Sequence, residues 1–221
     1  MSNILISGCG ISFSGQKPTW VKVLKLCGVT IIDRSGPAIS NQLIINNIIE
    51  YVHENNDVSH VICQLTSMGK LDVKIHEGNK ELYETDSLRN FVHDGYWPSS
   101  KSDEHEAKKL YYKFLYSPCT EETDTIIKLL YLQDLCKEKQ IKLCIVQGYH
   151  IDWTHKLAEQ LHFEKKTNIH DDYVASEYYK DHDFTNHNTV PDMRYQIHLA
   201  KKFNKEFLKL NIDHKLDRFH E

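Results

Sequence analysis

The chain has 221 residues, with 27 Lys and Arg against 31 Asp and Glu for a formal net charge of -4, and 40% of its residues are apolar. That length suits one generous domain or two small ones with a sizeable core, and the near-balanced charge argues against a protein that coats nucleic acid or anionic lipid over its whole surface. The 14 histidines are the compositional oddity, and they invite a metal or acid–base reading that has to be tested by position.

Ile4-Leu5-Ile6, stopped by Ser7-Gly8-Cys9-Gly10, reads as a buried strand feeding a tight loop. Pro18 marks a helix start, Trp20, Val21, Val23, Leu24 and Cys27 recur on one helical face, and Gly28 is a natural C-cap. Val29 to Ile32 reads as a second strand and Arg34-Ser35-Gly36-Pro37 as a turn. Ser40 can cap a helix over 41–54, with Leu43, Ile44, Ile48 and Val52 at helical spacing. Val58 to Gln64 is a third strand. Residues 66–105 are rich in Gly, Ser, Asp, His and Tyr and break the rhythm, as an excursion over the top of a sheet would. A helix is expected over 103–116, and Thr120 is expected to cap another through Lys139. Ile141 to Val146 reads as a fourth strand, 152–161 as a short helix, 164–190 as a polar loop, and Pro191 as the start of a last helix to about Leu210.

Strands alternating with helices need right-handed crossovers and a parallel sheet covered on both faces. The expectation is therefore a single flavodoxin-like, three-layer α/β/α domain with a mainly parallel sheet. Ligands in such folds sit beyond the carboxyl ends of the strands, which directs attention to the loops at 7–17, 33–40, 65–75, 147–152 and 185–191. No basic-then-apolar leader opens the sequence, and no run approaches the ~20 apolar residues that span a bilayer. None of the six cysteines forms a C-x-x-C pair, and Cys27, Cys63, Cys136 and Cys144 sit in apolar runs as small hydrophobes do. A reduced, cytoplasmic protein without a disulfide framework is expected.

The first loop, Ser7 to Gly15, offers backbone N–H groups to an anion. It is not a Walker loop, because Lys17 is displaced by one position and Pro18 follows, and it is not a dinucleotide fingerprint, because a third glycine is missing at the right offset.

Taken together, Ile4-Leu5-Ile6-Ser7-Gly8-Cys9, Trp20, Ser35-Gly36-Pro37-Ala38-Ile39-Ser40-Asn41, Val61 to Ser67, and Pro191 ahead of Gln196 and Ala200 resemble the SGNH/GDSL hydrolase family, most of all its small phage and marine-microbial members. The resemblance covers most of the chain. It implies the SGNH-type fold and a cleft for a small-molecule or acylated-sugar ligand; no cofactor, metal, nucleic acid or membrane is expected. It also implies N–H donors at Gly8, Cys9, Gly10 and Gly36, with Asn41, Thr66 and Ser67 beside them; Thr66 and Ser67 stand nearest the third-block asparagine, which has no clear match. The family's chemistry needs a serine just after the Gly-Cys pair, a histidine just before the final proline and an aspartate three residues earlier. Those places hold Gly10, Val190 and His187. A glycine cannot attack a carbonyl and a valine cannot take a proton, so a degenerate hydrolase that still binds its ligand is one expectation. A two-residue insertion that makes Ser12 the nucleophile and His187 the base of an O-acyl ester hydrolase is the alternative, although Ser12 lies beyond the tight turn.

Other clusters are weaker. His150, Asp152 and His155 could line a cleft, although solvated capping is the commoner arrangement. The His- and Asp-rich run from His170 to His187 lacks metal-ligand spacing. Glu104, His105 and Glu106 suit a solvated helix start. The aromatic residues between Tyr83 and Tyr116, above all Tyr96-Trp97-Pro98, offer a ligand or oligomer surface and carry a third expectation, an interaction protein. Lys201, Lys202, Lys205 and Lys209, interleaved with Glu206, suit a solvated face.

Overall fold

The computed structural model describes residues 3–8, 19–36, 39–69, 71–72, 90–91, 113–148, 151–162 and 193–220. In chain order these form β1 (Asn3–Ser7), α1 (Trp20–Leu26), β2 (Ile31–Asp33), α2 (Asn41–Glu54), β3 (Val58–Leu65), β4 (Leu71–Asp72), β5 (Asn90–Phe91), α3 (Pro118–Glu138), β6 (Lys142–Gln147), a 3-10 turn (Lys156–Gln160), α4 (Met193–Phe203), a π-helical turn (Asn204–Leu208), α5 (Asp213–Leu216) and a last 3-10 turn (Asp217–His220).

Four strands make an all-parallel sheet in the order β2-β1-β3-β6, and β4 pairs with β5 as a separate antiparallel ladder. The register places Leu5 opposite Ile32 and Val61, and Ile62 opposite Cys144. Strand side chains alternate between two faces, so each strand feeds two cores. Ile4, Ile6, Ile62, Cys144 and Val146 pack under α1, α4 and the C-terminal turns. Leu5, Val61, Cys63, Leu65 and Ile145 pack under α2 and α3. Both faces of the central strands are buried, which explains their unbroken apolar runs. Helices therefore cover both faces of a parallel sheet, as the alternation of elements predicts.

Helix boundaries follow local chemistry. Ser40 Oγ accepts the Leu43 N–H at 3.1 Å and α2 starts at Asn41, as expected. The cap of α3 is Ser117 rather than Thr120: its hydroxyl accepts the Thr120 N–H at 3.3 Å, and Pro118 fills the first turn, where a missing N–H costs nothing. The second strand is shifted to 31–33 and the fourth strand of the sheet, β6, to 142–147. The helix expected over 152–161 is only a 3-10 turn, because Glu122 and the His155 ring hold the segment ahead of it. The helix expected from Pro191 to about Leu210 is α4, which ends at Phe203 and continues as a π turn, closed by Lys209 in the left-handed region (φ 53). Asn204 fixes that end: it donates to the Leu210 carbonyl and Asp213, and accepts the Leu210 N–H at 2.9 Å. Of the helix expected over 103–116, only 113–116 falls within the described residues.

On the α1 side, Trp20 is fully buried, stacks on Phe203 with ring centroids 4.3 Å apart, and donates its backbone N–H to Gln196 Oε1 at 2.8 Å. Cys27, Cys63, Cys136 and Cys144 are buried free thiols. Burial pushes Cys136 up to about 12 and Cys63 higher still, so both pack as inert apolar groups.

Candidate functional site

The strand order reverses between β1 and β3, whose following segments leave toward opposite faces of the sheet. That switch point, at the carboxyl edge, is where an open α/β sheet offers a crevice. The floor there is polar although fully enclosed: Ser7 ends β1, Gln64 and Thr66 end β3, and Gln147 ends β6, all buried.

The loops beyond this edge are laced together by backbone hydrogen bonds. After β2, the Arg34 N–H donates to the Ile6 carbonyl at 2.8 Å and the Gly36 N–H donates to the Gly8 carbonyl at 3.0 Å. Ser7 Oγ and Asn47 Nδ2 both donate to the Arg34 carbonyl, and the Arg34 guanidinium lies 5.4 Å from the centre of the Tyr51 ring. Asp33 Oδ1 accepts the Ser35 N–H, which turns the chain toward α2.

Asn41, in the first turn of α2, clasps the end of β3. Its Oδ1 accepts the Thr66 N–H at 2.7 Å and its Nδ2 donates to the Thr66 carbonyl at 3.1 Å, with Met68 Sδ at 3.5 Å. Both amide atoms are buried and used. Three residues after Thr66, the Gly69 N–H is shared by the Glu121 carboxylate oxygens at 3.0 and 2.8 Å.

The neighbouring Glu122 holds the loop after β6. Its carboxylate accepts the backbone N–H and the hydroxyl of Thr154, the latter at 2.6 Å, and the His155 N–H at 2.7 Å. Burial alone would raise this carboxyl, but the bonds from Thr154 and His155, with the His155 charge, outweigh it and hold it below its ordinary value. The first turn of α3 thus grips two loops with adjacent acidic residues. Between those loops, the Gly148 N–H donates to the Leu65 carbonyl at 2.7 Å, and a Cβ on Gly148 would come within 2.5 Å of Gln64 Nε2 and 2.6 Å of that carbonyl. Only glycine fits there.

The residues singled out in the sequence fall into three groups. Gly8, Gly36, Asn41 and Thr66 come together at the switch point, with Ser67 half-buried alongside. Asp152 is exposed on the loop after β6. Cys9, Gly10, Ser12, His150, His187 and Val190 lie outside the described residues, as do Tyr96-Trp97-Pro98 and the 163–192 loop. Of the 83–116 region, Phe114 and Leu115 are exposed beside the start of α3. Gln64, Glu121, Glu122 and Gln147 were not singled out. The signal for Gln64 and Gln147 was a polar residue at the end of an apolar strand; Glu121-Glu122 showed only as ordinary first-turn acids.

Among the described residues no group of three His, Cys, Asp or Glu side chains gathers as metal ligands, and no helix is long and apolar enough to cross a membrane. One described serine touches a histidine ring: Ser59 Oγ lies 2.8 Å from His60 Nδ1, at the opposite, amino edge of the sheet. Ser59 also donates to the Asn3 carbonyl at 3.2 Å, so His60 Nδ1–H donates to Ser59 and cannot activate it. No protein-family model matches the chain, and no curated protein matches its sequence.

Proposed function

We propose that the protein is an SGNH/GDSL hydrolase-like binding protein. It uses the carboxyl-edge cleft for a small oxygen-rich or acylated ligand, such as an acylated sugar, without standard ester hydrolysis. The observation that carries this reading is the 3.0 Å bond from the Gly36 N–H to the Gly8 carbonyl. In the resembled family the corresponding N–H faces the oxyanion, and catalysis of acyl transfer depends on such donors being free and pre-aimed. Here that donor is engaged within the protein, so Gly36 is not the free ligand donor that the resemblance implies. The Asn41 amide beside it is equally engaged, on Thr66. Gly10, Val190 and His187 at the family's serine, histidine and aspartate places point the same way.

Two measurements on the purified chain test this. A fluorophosphonate probe, which labels only an activated serine, is expected to leave the protein unlabelled, while O-acetylated sugars perturb the amide resonances of Gly8, Gly36 and Ser67. Labelling that disappears in Ser12→Ala or His187→Ala would replace the binding reading with an active esterase. Absence of both labelling and ligand-induced shifts would remove the cleft from consideration.

A further inference from the structure

A second cavity lies at the other end of the molecule, where α1 finishes and before β2 begins. It is a depression of about 320 Å³, open to solvent and lined by Leu26, Cys27, Gly28, Lys215, Arg218 and Phe219. We infer that this depression binds a small amphiphilic anion, an alkyl or aryl body ending in a carboxylate or phosphate.

Three observations converge on that chemistry. The lining mixes two cations with two large apolar side chains left open to solvent, Leu26 at 62% and Phe219 at 37% exposure. An apolar wall with a few convergent charges is the usual make-up of a small-molecule site, and the volume falls at the lower end of the usual range of roughly 300–1,000 Å³. Lys215 is held in place: its Nζ donates to the Cys27 carbonyl at 2.9 Å, beside Gly28, whose φ of +85 is a conformation glycine adopts without strain. An ammonium carries three donors, so two remain for a ligand. Among the described residues the Arg218 side chain has no hydrogen-bond or ion-pair partner, and its fork of five donors matches a carboxylate or phosphate.

The wider field favours an anion at this end. Among the described residues, 20–26 and 193–219, which form the layer that holds this depression, carry nine Lys and Arg against Glu206, Asp213 and Asp217, although the whole chain is at -4. A surplus of one sign over a surface raises the local concentration of oppositely charged solutes.

The test titrates octyl phosphate, octanoate and octanol into the full chain and follows the backbone amide resonances. Octyl phosphate and octanoate are expected to shift Gly28, Lys215 and Phe219, with octanol about tenfold weaker or more, the worth of one charge-assisted hydrogen bond. Arg218→Gln is expected to weaken octyl phosphate by a similar factor at unchanged thermal midpoint, because the Arg218 side chain has no such partner among the described residues; Lys205→Gln on the same layer is expected to leave it unchanged. Phosphatidylcholine vesicles with and without phosphatidylserine separate the sources. Capture by the anionic vesicles that Arg218→Gln weakens assigns the anion to a lipid headgroup, and binding of octyl phosphate without capture assigns it to a free amphiphile. Equal affinity for octanol and octyl phosphate, or an Arg218→Gln variant that binds octyl phosphate as well as the parent, overturns the inference.

Discussion

At the residue scale, the buried side chains of Asn41, Glu122 and Asn204 act as anchors that hold mainly backbone groups. Removing one leaves desolvated donors or acceptors behind, at about 1–3 kcal/mol each. Asn41→Leu strips both Thr66 backbone groups at once and is expected to lower stability by about 2–4 kcal/mol in urea unfolding, with Asn41→Asp intermediate because Oδ1 is kept. Two titrations can be read from the same accounting. Glu122 has its folded pKa below the ordinary carboxyl value, so its stabilisation is complete above that value and disappears as pH falls through the folded pKa. Glu122→Gln should therefore be less stable at neutral pH and lose part of the acid-side slope of the stability profile.

His60 behaves as a buried base. It is 8% exposed, lies edge-on to Phe207 with centroids 5.5 Å apart, and its Nε2 is buried without a partner. Burial, with the neighbouring Lys142 charge, pushes its pKa below 6.5. Stability attributable to it is full above that value and falls as pH drops from there through the folded pKa. His60→Phe is expected to flatten the unfolding free energy over that window. These residues were barely visible in the sequence, because Asn41, Gln64 and Glu122 are unremarkable letters until the fold brings a backbone group against them.

At the scale of elements, apolar period and caps made most of the architecture legible. Ser40, Gly28 and the runs at 4–6, 58–64 and 141–146 mark their boundaries to within a residue or two, because each rests on local chemistry. The misplacements share a cause. Thr120 and Ser117 both carry capping hydroxyls, and Pro118 decides between them by accepting the first helical position; Ser117→Ala is expected to cost about 1 kcal/mol and Thr120→Ala markedly less. The sequence predicts a helix where 156–160 form a 3-10 turn, because the tether that displaces it, Glu122, is more than 30 residues away in sequence. The expected chemistry rested on Ser12, His187 and Val190, which lie outside the described residues, so the candidate site was legible at Gly8, Gly36, Asn41 and Thr66 only.

At the scale of the whole molecule, the two helical layers carry opposite charge. Among the described residues, the layer with α2 and α3, together with 151–162, has nine acidic residues against three lysines, while the α1 and α4 layer is basic. Net charge hides this polarity. The protein is expected to be retained on a cation exchanger in low salt at a pH above its pI of about 6.4, and to elute early once ionic strength shortens the screening length to about 10 Å or less. Charge reversal at Lys201 and Lys202 should abolish retention.

The paired grip of Glu121 and Glu122 has a mechanical side. Gly69 belongs to the segment after β3, and Thr154 and His155 to the segment after β6, yet both hang from one helical turn. The turn works as a yoke: neither segment can swing without tilting α3 or releasing its carboxylate. Amide hydrogen exchange at Gly69 and His155 should therefore report one shared opening event, and a ligand that moves either segment would tug on the other across the width of two strands.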